Sequence, residues 1–125
     1  MILTDSSVWI DHLRNENMLL RTLLNEGHIL AHSLVIGEIA MGSLQHRQNF
    51  LEMLEDLPQA IEADHQEVRL LIETAKLFGR GIGYLDSHLL ASARLTPGAK
   101  LWTRDRRLHE AAAYLDIAYH SDRPH

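Results

Sequence analysis

The sequence predicts an α/β protein: a three-layer α/β/α sandwich with a mainly parallel central sheet. Three observations carry this. Short apolar runs at residues 2–4, 29–31 and 100–102 are bounded by charged or turn residues, as strands buried on both faces should be. Between them lie longer segments with apolar residues at helical spacing, the crossovers that parallel strands require. A length of 125 residues with 46% apolar content matches one domain, 1–125, with a sizeable core. No internal repeat, linker or low-complexity tract interrupts it.

The elements follow in order. Residues 2–4 form a buried strand that runs into Asp5, flanked by Ser6 and Ser7. In an open parallel sheet ligands bind beyond the carboxyl ends of the strands, so Asp5 stands at the mouth of the sheet. Helical spacing runs through Trp9 and Leu13, then again through Leu19, Leu20, Leu23 and Leu24, until residues 25–27 stop it. Residues 29–31 read as a second buried strand. Ser33 then opens a helix, SLVIGEIAMGSL, in which Glu38 is the only charged residue. A carboxylate buried in such company is costly unless something compensates it.

Phe50, Leu51, Leu54 and Leu57 argue for a helix over residues 47–57, closed by Pro58, and residues 60–61 for a brief strand. The longest helical pattern places Val68, Leu71, Ile72, Ala75 and Phe78 on one face and ends in the loop GRGIG at residues 79–83. That loop follows a helix rather than a strand, which argues against a phosphate cradle. YLDSHLLASARL is the next helix, with Asp86 in its first turn. Pro97 and Gly98 turn the chain into the strand at residues 100–102. Thr103, Arg104 and Asp105 follow, then a helix carrying Leu108, Ala111, Ala112 and Leu115, and a last edge strand at residues 118–120.

Composition narrows the class. With no cysteine there is no disulfide framework, thiolate zinc site or cysteine nucleophile, which fits a reducing cytosol. The N-terminus lacks a basic leader and no apolar run approaches a membrane span, so the chain reads as soluble, unexported and cytoplasmic, with no membrane partner. A net charge of −5 disfavours a nucleic-acid binder at first sight. If four of the 17 acids form a cation site, however, 12 basic residues face the remaining 13 acidic ones. Arg94, Lys100, Arg104, Arg106 and Arg107 cluster near the C-terminus, where they can face a polyanion.

Asp5, Asp86 and Asp105 each lie at a junction leading into a helix, where an acid ordinarily caps the helix or complements its dipole. That accounts for each alone, but neither for Glu38 nor for Asp5 and Asp105 sharing one sheet edge. Four carboxylates gathered without a basic partner raise one another's pKa, and a hard divalent cation such as Mg²⁺ or Mn²⁺ removes the conflict.

The ordered set DSSVWID, a Glu within a mid-chain apolar helix, GIGYLDSHLLASA and LWTRD resembles the PIN-domain ribonucleases, most closely the VapC toxins of bacterial toxin-antitoxin pairs. The likeness spans essentially the whole chain. It implies that Asp5, Glu38, Asp86 and Asp105 are the acidic tetrad that holds magnesium (Mg²⁺, with Mn²⁺ able to substitute). Ser6 and Thr103 would be auxiliary groups. It further implies a five-stranded parallel sheet, a homodimer and a small VapB-like antitoxin that blocks the site. Where some relatives carry a further acid this chain has Arg106 and Arg107, which leaves a second metal position open.

The implied activity is metal-dependent endonucleolytic hydrolysis of RNA by a metal-activated water, leaving 5′-phosphate and 3′-hydroxyl ends. Arg104, Arg106 and Arg107 are candidate phosphate contacts. Rival readings fare worse. The nine histidines form no HExxH motif, and His88 is rotated about 200° from Asp86 on their helix. A haloacid-dehalogenase-type phosphatase needs a second Asp where Ser7 stands, and a PIN scaffold without activity is expected to have lost acids that this chain keeps. Asp11, on the first helix, is expected to face solvent and to serve as a neutral control.

Overall fold

The computed structural model describes residues 1–121. Three strands, β1 (Ile2–Thr4), β2 (Ile29–Leu30) and β3 (Lys100–Trp102), form a parallel sheet in the order β2-β1-β3. The chain leaves β1 for one side of the sheet and later returns to the other side. β1 is therefore the topological switch point, where open α/β sheets form their ligand crevice. The register pairs Leu3 with Leu30 and Leu101, and Thr4 with Trp102. The Asp5 amide extends the ladder by one bond, donating to the Trp102 carbonyl at 2.9 Å. Asp5 and Thr103 thus leave the sheet side by side.

Among the described residues seven helices flank the sheet: α1 (Ser6–Arg14), α2 (Met18–Asn25), α3 (Ser33–Ala40), α4 (Arg47–Asp56), α5 (His65–Thr74), α6 (Tyr84–Leu95) and α7 (Arg106–Tyr114). Their apolar stripes meet the sheet through Trp9, Leu20, Ile39, Leu54, Val68 and Leu108, all essentially inaccessible to water beside Leu3 and Leu101. The most enclosed helix is α6, buried at every position from Ser87 to Ala93. Its unusual run of small residues, Ser87, Ala91, Ser92 and Ala93, allows neighbours to approach on several sides. Among the described residues, no helix is long and apolar enough to cross a membrane.

Some expectations need correction. The outer strands at residues 60–61 and 118–120 are single parallel bridges, Ala31 with Gln59 and Leu101 with Ala118. Pro58 has no N–H to extend the first. The Gln59 side chain turns back to donate to the Leu54, Glu55 and Leu57 carbonyls, while the Ile61 amide donates to Thr96 Oγ1 at 2.9 Å. At the other edge Ala118 follows Asp116, whose φ of 59° turns the chain sharply. The described sheet is therefore three strands with a one-residue fringe on each side. Helix α5 is also shorter than its apolar pattern. Lys76 adopts φ 55°, which breaks the helix and brings Leu77 into the core, leaving Phe78 60% exposed.

Candidate active site

Asp5 is the best-anchored group at the sheet's mouth. Only 5% exposed, it accepts from the Ser6 amide through Oδ1 at 2.7 Å, and through Oδ2 from Ser7 Oγ at 2.8 Å and Thr103 Oγ1 at 2.7 Å. The hydroxyls belong to a wider lattice. Thr103 Oγ1 accepts from the Asp105 amide at 3.0 Å, and Ser7 Oγ accepts from the Arg104 amide at 3.0 Å. One buried carboxylate thus ties the end of β1 to the turn after β3, and charge-assisted bonds of this kind hold it in one orientation.

Asp105 caps α7. Its Oδ1 accepts from the Arg107 and Leu108 amides at 2.9 and 3.1 Å, satisfying free donors of the first turn. Asp86, in the first turn of α6, accepts from the Gly83 amide through Oδ2 at 3.2 Å. Partial burial raises its pKa; the Gly83 bond opposes that rise, and the charges of Asp5 and Asp105 add to it. Glu38 on α3 is likewise raised, by desolvation first and then by Asp5 and Asp86, against a lowering hydrogen bond from Ser6. Electrostatic interaction thus links Asp86 with Asp5 and Asp105, and Glu38 with Asp5 and Asp86. None is in an ion pair among the described residues, whose pairs are Arg21–Glu16, His28–Glu26, Arg104–Asp11 and Arg106–Glu110.

The residue placements modify several expectations. Glu38 is solvent-exposed, at the edge of the α3 face that buries Val35 and Ile39, so it flanks the core rather than lying within it. Ser6 holds Asp5 mainly by its backbone, the hydroxyl lying 3.4 Å from Oδ1. Ser7, given no role in the sequence reading, supplies the stronger side-chain bond. A hydroxyl two residues beyond a strand-end acid is the signal that could have found it. Asp11 is no isolated surface acid, since it pairs with Arg104 at 3.3 Å. Arg106 pairs with Glu110 at 3.1 Å. Arg107 lies across the 79–83 loop, so close to Gly81 that a Cβ there would come within 2.8 Å of Arg107 Cδ. His88 packs edge-on against His65 and Tyr84, with ring centroids 5.1 and 4.8 Å away.

As the side chains lie, no three His, Asp or Glu residues among those described are arranged to hold one metal ion. The donor set nevertheless fits Mg²⁺ in its chemistry. It consists of hard carboxylate oxygens backed by hydroxyls, and Mg²⁺ commonly takes only one or two carboxylates directly while keeping several waters. Glu38 and Asp86, whose carboxyls are pushed up first by burial and then by neighbouring acids, have no cationic partner among the described residues.

Residues 2–114 match the PIN domain family. Ribonuclease VapC32 from two strains of Mycobacterium tuberculosis is 45% identical over 118 residues, covering 94% of this chain and 95% of the relative. The crystal structure of FitAcB from Neisseria gonorrhoeae shares the fold, with a TM-score of 0.63 at 22% identity, over 94% of this chain and 95% of that one. The chain belongs to the PIN domain family, among the VapC-like ribonucleases.

Proposed function

We propose that this protein is the ribonuclease toxin of a toxin-antitoxin pair, and that it cleaves RNA internally with Mg²⁺ held by Asp5, Glu38, Asp86 and Asp105. What supports the reading is a set of four acids, none in an ion pair among the described residues, that interact electrostatically with one another in a chain around Asp5 and Asp86. The 45% identity to a ribonuclease supports it. When bound, Mg²⁺ would supply positive charge at the scissile phosphate and make a coordinated water more acidic.

The chain's own residues do the rest. Ser6, Ser7 and Thr103 fix Asp5 so that its orientation costs nothing at the moment of reaction. The α7 amides fix Asp105 through Oδ1 and leave Oδ2 without a hydrogen bond among the described residues. Glu38, exposed on α3, would complete the cation's ligand set from the helical side. Arg104 and Arg106 are engaged only in exposed ion pairs, which contribute about 0–1 kcal/mol and can be exchanged for a phosphate. No 2′-hydroxyl is needed as nucleophile. A homodimer, a small VapB-like antitoxin over the acids and action in the cytoplasm complete the proposal.

The test is to map RNA ends after brief induction, with Asp5→Asn as background, alongside Mg²⁺ and Mn²⁺ titration of the purified protein. Expected are 5′-phosphate and 3′-hydroxyl ends that vanish in the variant. Cleavage should fall by more than about 100-fold, beyond the loss typical of an outer-shell partner. Ends bearing 2′,3′-cyclic phosphate would overturn the mechanism. Absence of metal binding in the wild type would favour a scaffold.

A further inference from the structure

A cavity of about 720 Å³ opens beside the site, walled by the corner between α1 and α2, the end of β3, the first turns of α7 and the chain after Ala118. Its size falls in the range of small-ligand pockets. Thr103 and Asp105 form part of its wall. Thr103 Oγ1 also donates to Asp5, so the cavity is one side chain away from the buried acid.

We propose that this cavity is a nucleoside subsite, taking the unpaired base of the nucleotide next to the scissile phosphate. This rests on the ribonuclease reading above and adds where that enzyme grips its substrate. Three features of the lining favour a base over a phosphate. First, the lining holds three acids, Asp11, Glu16 and Asp105, against two arginines, Arg104 and Arg106, a balance that disfavours a phosphate inside the cavity. Between these charges the lining carries neutral hydrogen-bonding groups, Asn15, Asn17 and Ser121. Second, ring systems meet there. Tyr119 leans on Trp102 with centroids 5.3 Å apart, and His109 meets His120 edge-on at 5.0 Å. Rings of this kind are the usual platforms for bases splayed out of single-stranded RNA. Third, Asn15, at the C-cap of α1, adds an amide side chain that both donates and accepts, the functionality that reads a base edge. Arg104 and Arg106, also in the lining, would exchange their exposed carboxylate partners for the flanking phosphates of the same strand.

The experiment follows backbone amide resonances of the intact wild-type protein during titration with each 5′-mononucleotide, ribose 5-phosphate and N-acetylarginine amide. Nucleotides should shift the resonances of residues 15, 109 and 120 with millimolar affinity, as expected of a single fragment of a longer ligand. Ribose 5-phosphate should leave them in place. Asn15→Ala and His109→Ala should each weaken the nucleotide response by about fivefold. In parallel, cleavage of a randomised single-stranded RNA pool should show a base preference beside the cut that flattens in both variants.

Equal shifts with ribose 5-phosphate, or none with any nucleotide, would overturn the proposal. A response to N-acetylarginine amide alone would assign the cavity to a protein partner and overturn it too. An uncut pool with nucleotide binding intact would count against the nuclease reading alone, the nucleotide response still upholding base binding in the cavity.

Discussion

The two halves of the acid cluster are built differently. On the β1–β3 side, Asp5 and Asp105 have their orientations fixed by five hydrogen bonds from backbone amides and hydroxyls. On the helical side, Asp86 has one backbone bond of 3.2 Å, and Glu38 reaches out of α3 into solvent with only Ser6 to oppose its repulsion from Asp5. The first half is a rigid anchor, pre-paid by folding. The second carries charge that folding leaves uncompensated. A bound cation would therefore meet one set of ligands already in place and draw in another that gains from its arrival.

The contrast breaks most directly at Thr103. Thr103→Val keeps the shape but removes a donor to Asp5 and an acceptor for the Asp105 amide. Metal affinity and cleavage should fall about 10–100-fold, as for other outer-shell partners. Isothermal titration with Mn²⁺ and a cleavage assay would check this, and unchanged affinity would show that Asp5 needs no such support.

The next effect concerns the loop that leads to Asp86. Gly81 has φ 75°, and a Cβ there would collide with the side chain of Arg107. Gly81→Ala should destabilise the fold by about 1–2 kcal/mol from the left-handed conformation alone. Denaturant titration reads that loss. Pairing the change with Arg107→Ala should recover the collision component and leave the conformational one.

A smaller effect tests the uncompensated charge. Glu38 and Asp86 bind protons more tightly folded than unfolded. Between the ordinary carboxylate range and their raised pKa values, the folded state therefore holds more protons, so metal-free stability declines as pH rises through that window and stays reduced above it. Glu38→Gln should raise the metal-free melting temperature at neutral pH and lose that advantage by about pH 4. Buried His32 and His88, with lowered pKa values, act in the opposite sense, favouring the fold above their unfolded pKa and losing that contribution as pH falls below it. Comparing variant with wild type at each pH cancels their contribution. Adding Mg²⁺ should reverse the ranking at neutral pH. Least of all, Asp11→Asn should change stability by less than about 1 kcal/mol, since its pair with Arg104 is exposed.

Much of this was legible in the chain because buried parallel strands and capped helices have local signatures. Leu3 and Leu101 lie in short apolar runs, and Asp5 and Asp105 follow those runs directly. What was hidden depends on angle and distance. Glu38 looks buried in sequence, yet a turn of about 100° from Ile39 carries it to the exposed edge of the same helix. The end of α5 turns on a single left-handed residue, Lys76, that no pattern of apolar spacing betrays. The fringe bridges at Gln59 and Ala118 depend on where neighbouring side chains send their hydrogen bonds. The cavity's walls come from both ends of the chain, so no local stretch announces it.

The bond from Thr103 to Asp5 joins residues 98 positions apart, and the strand pairing beneath it has similar reach. During synthesis, β1 emerges from the ribosome early and finds β2 soon, but must wait about a hundred residues for β3. Chains elongate at about 5–20 residues per second. For several seconds each new copy thus carries Asp5 apart from Thr103 and Asp105.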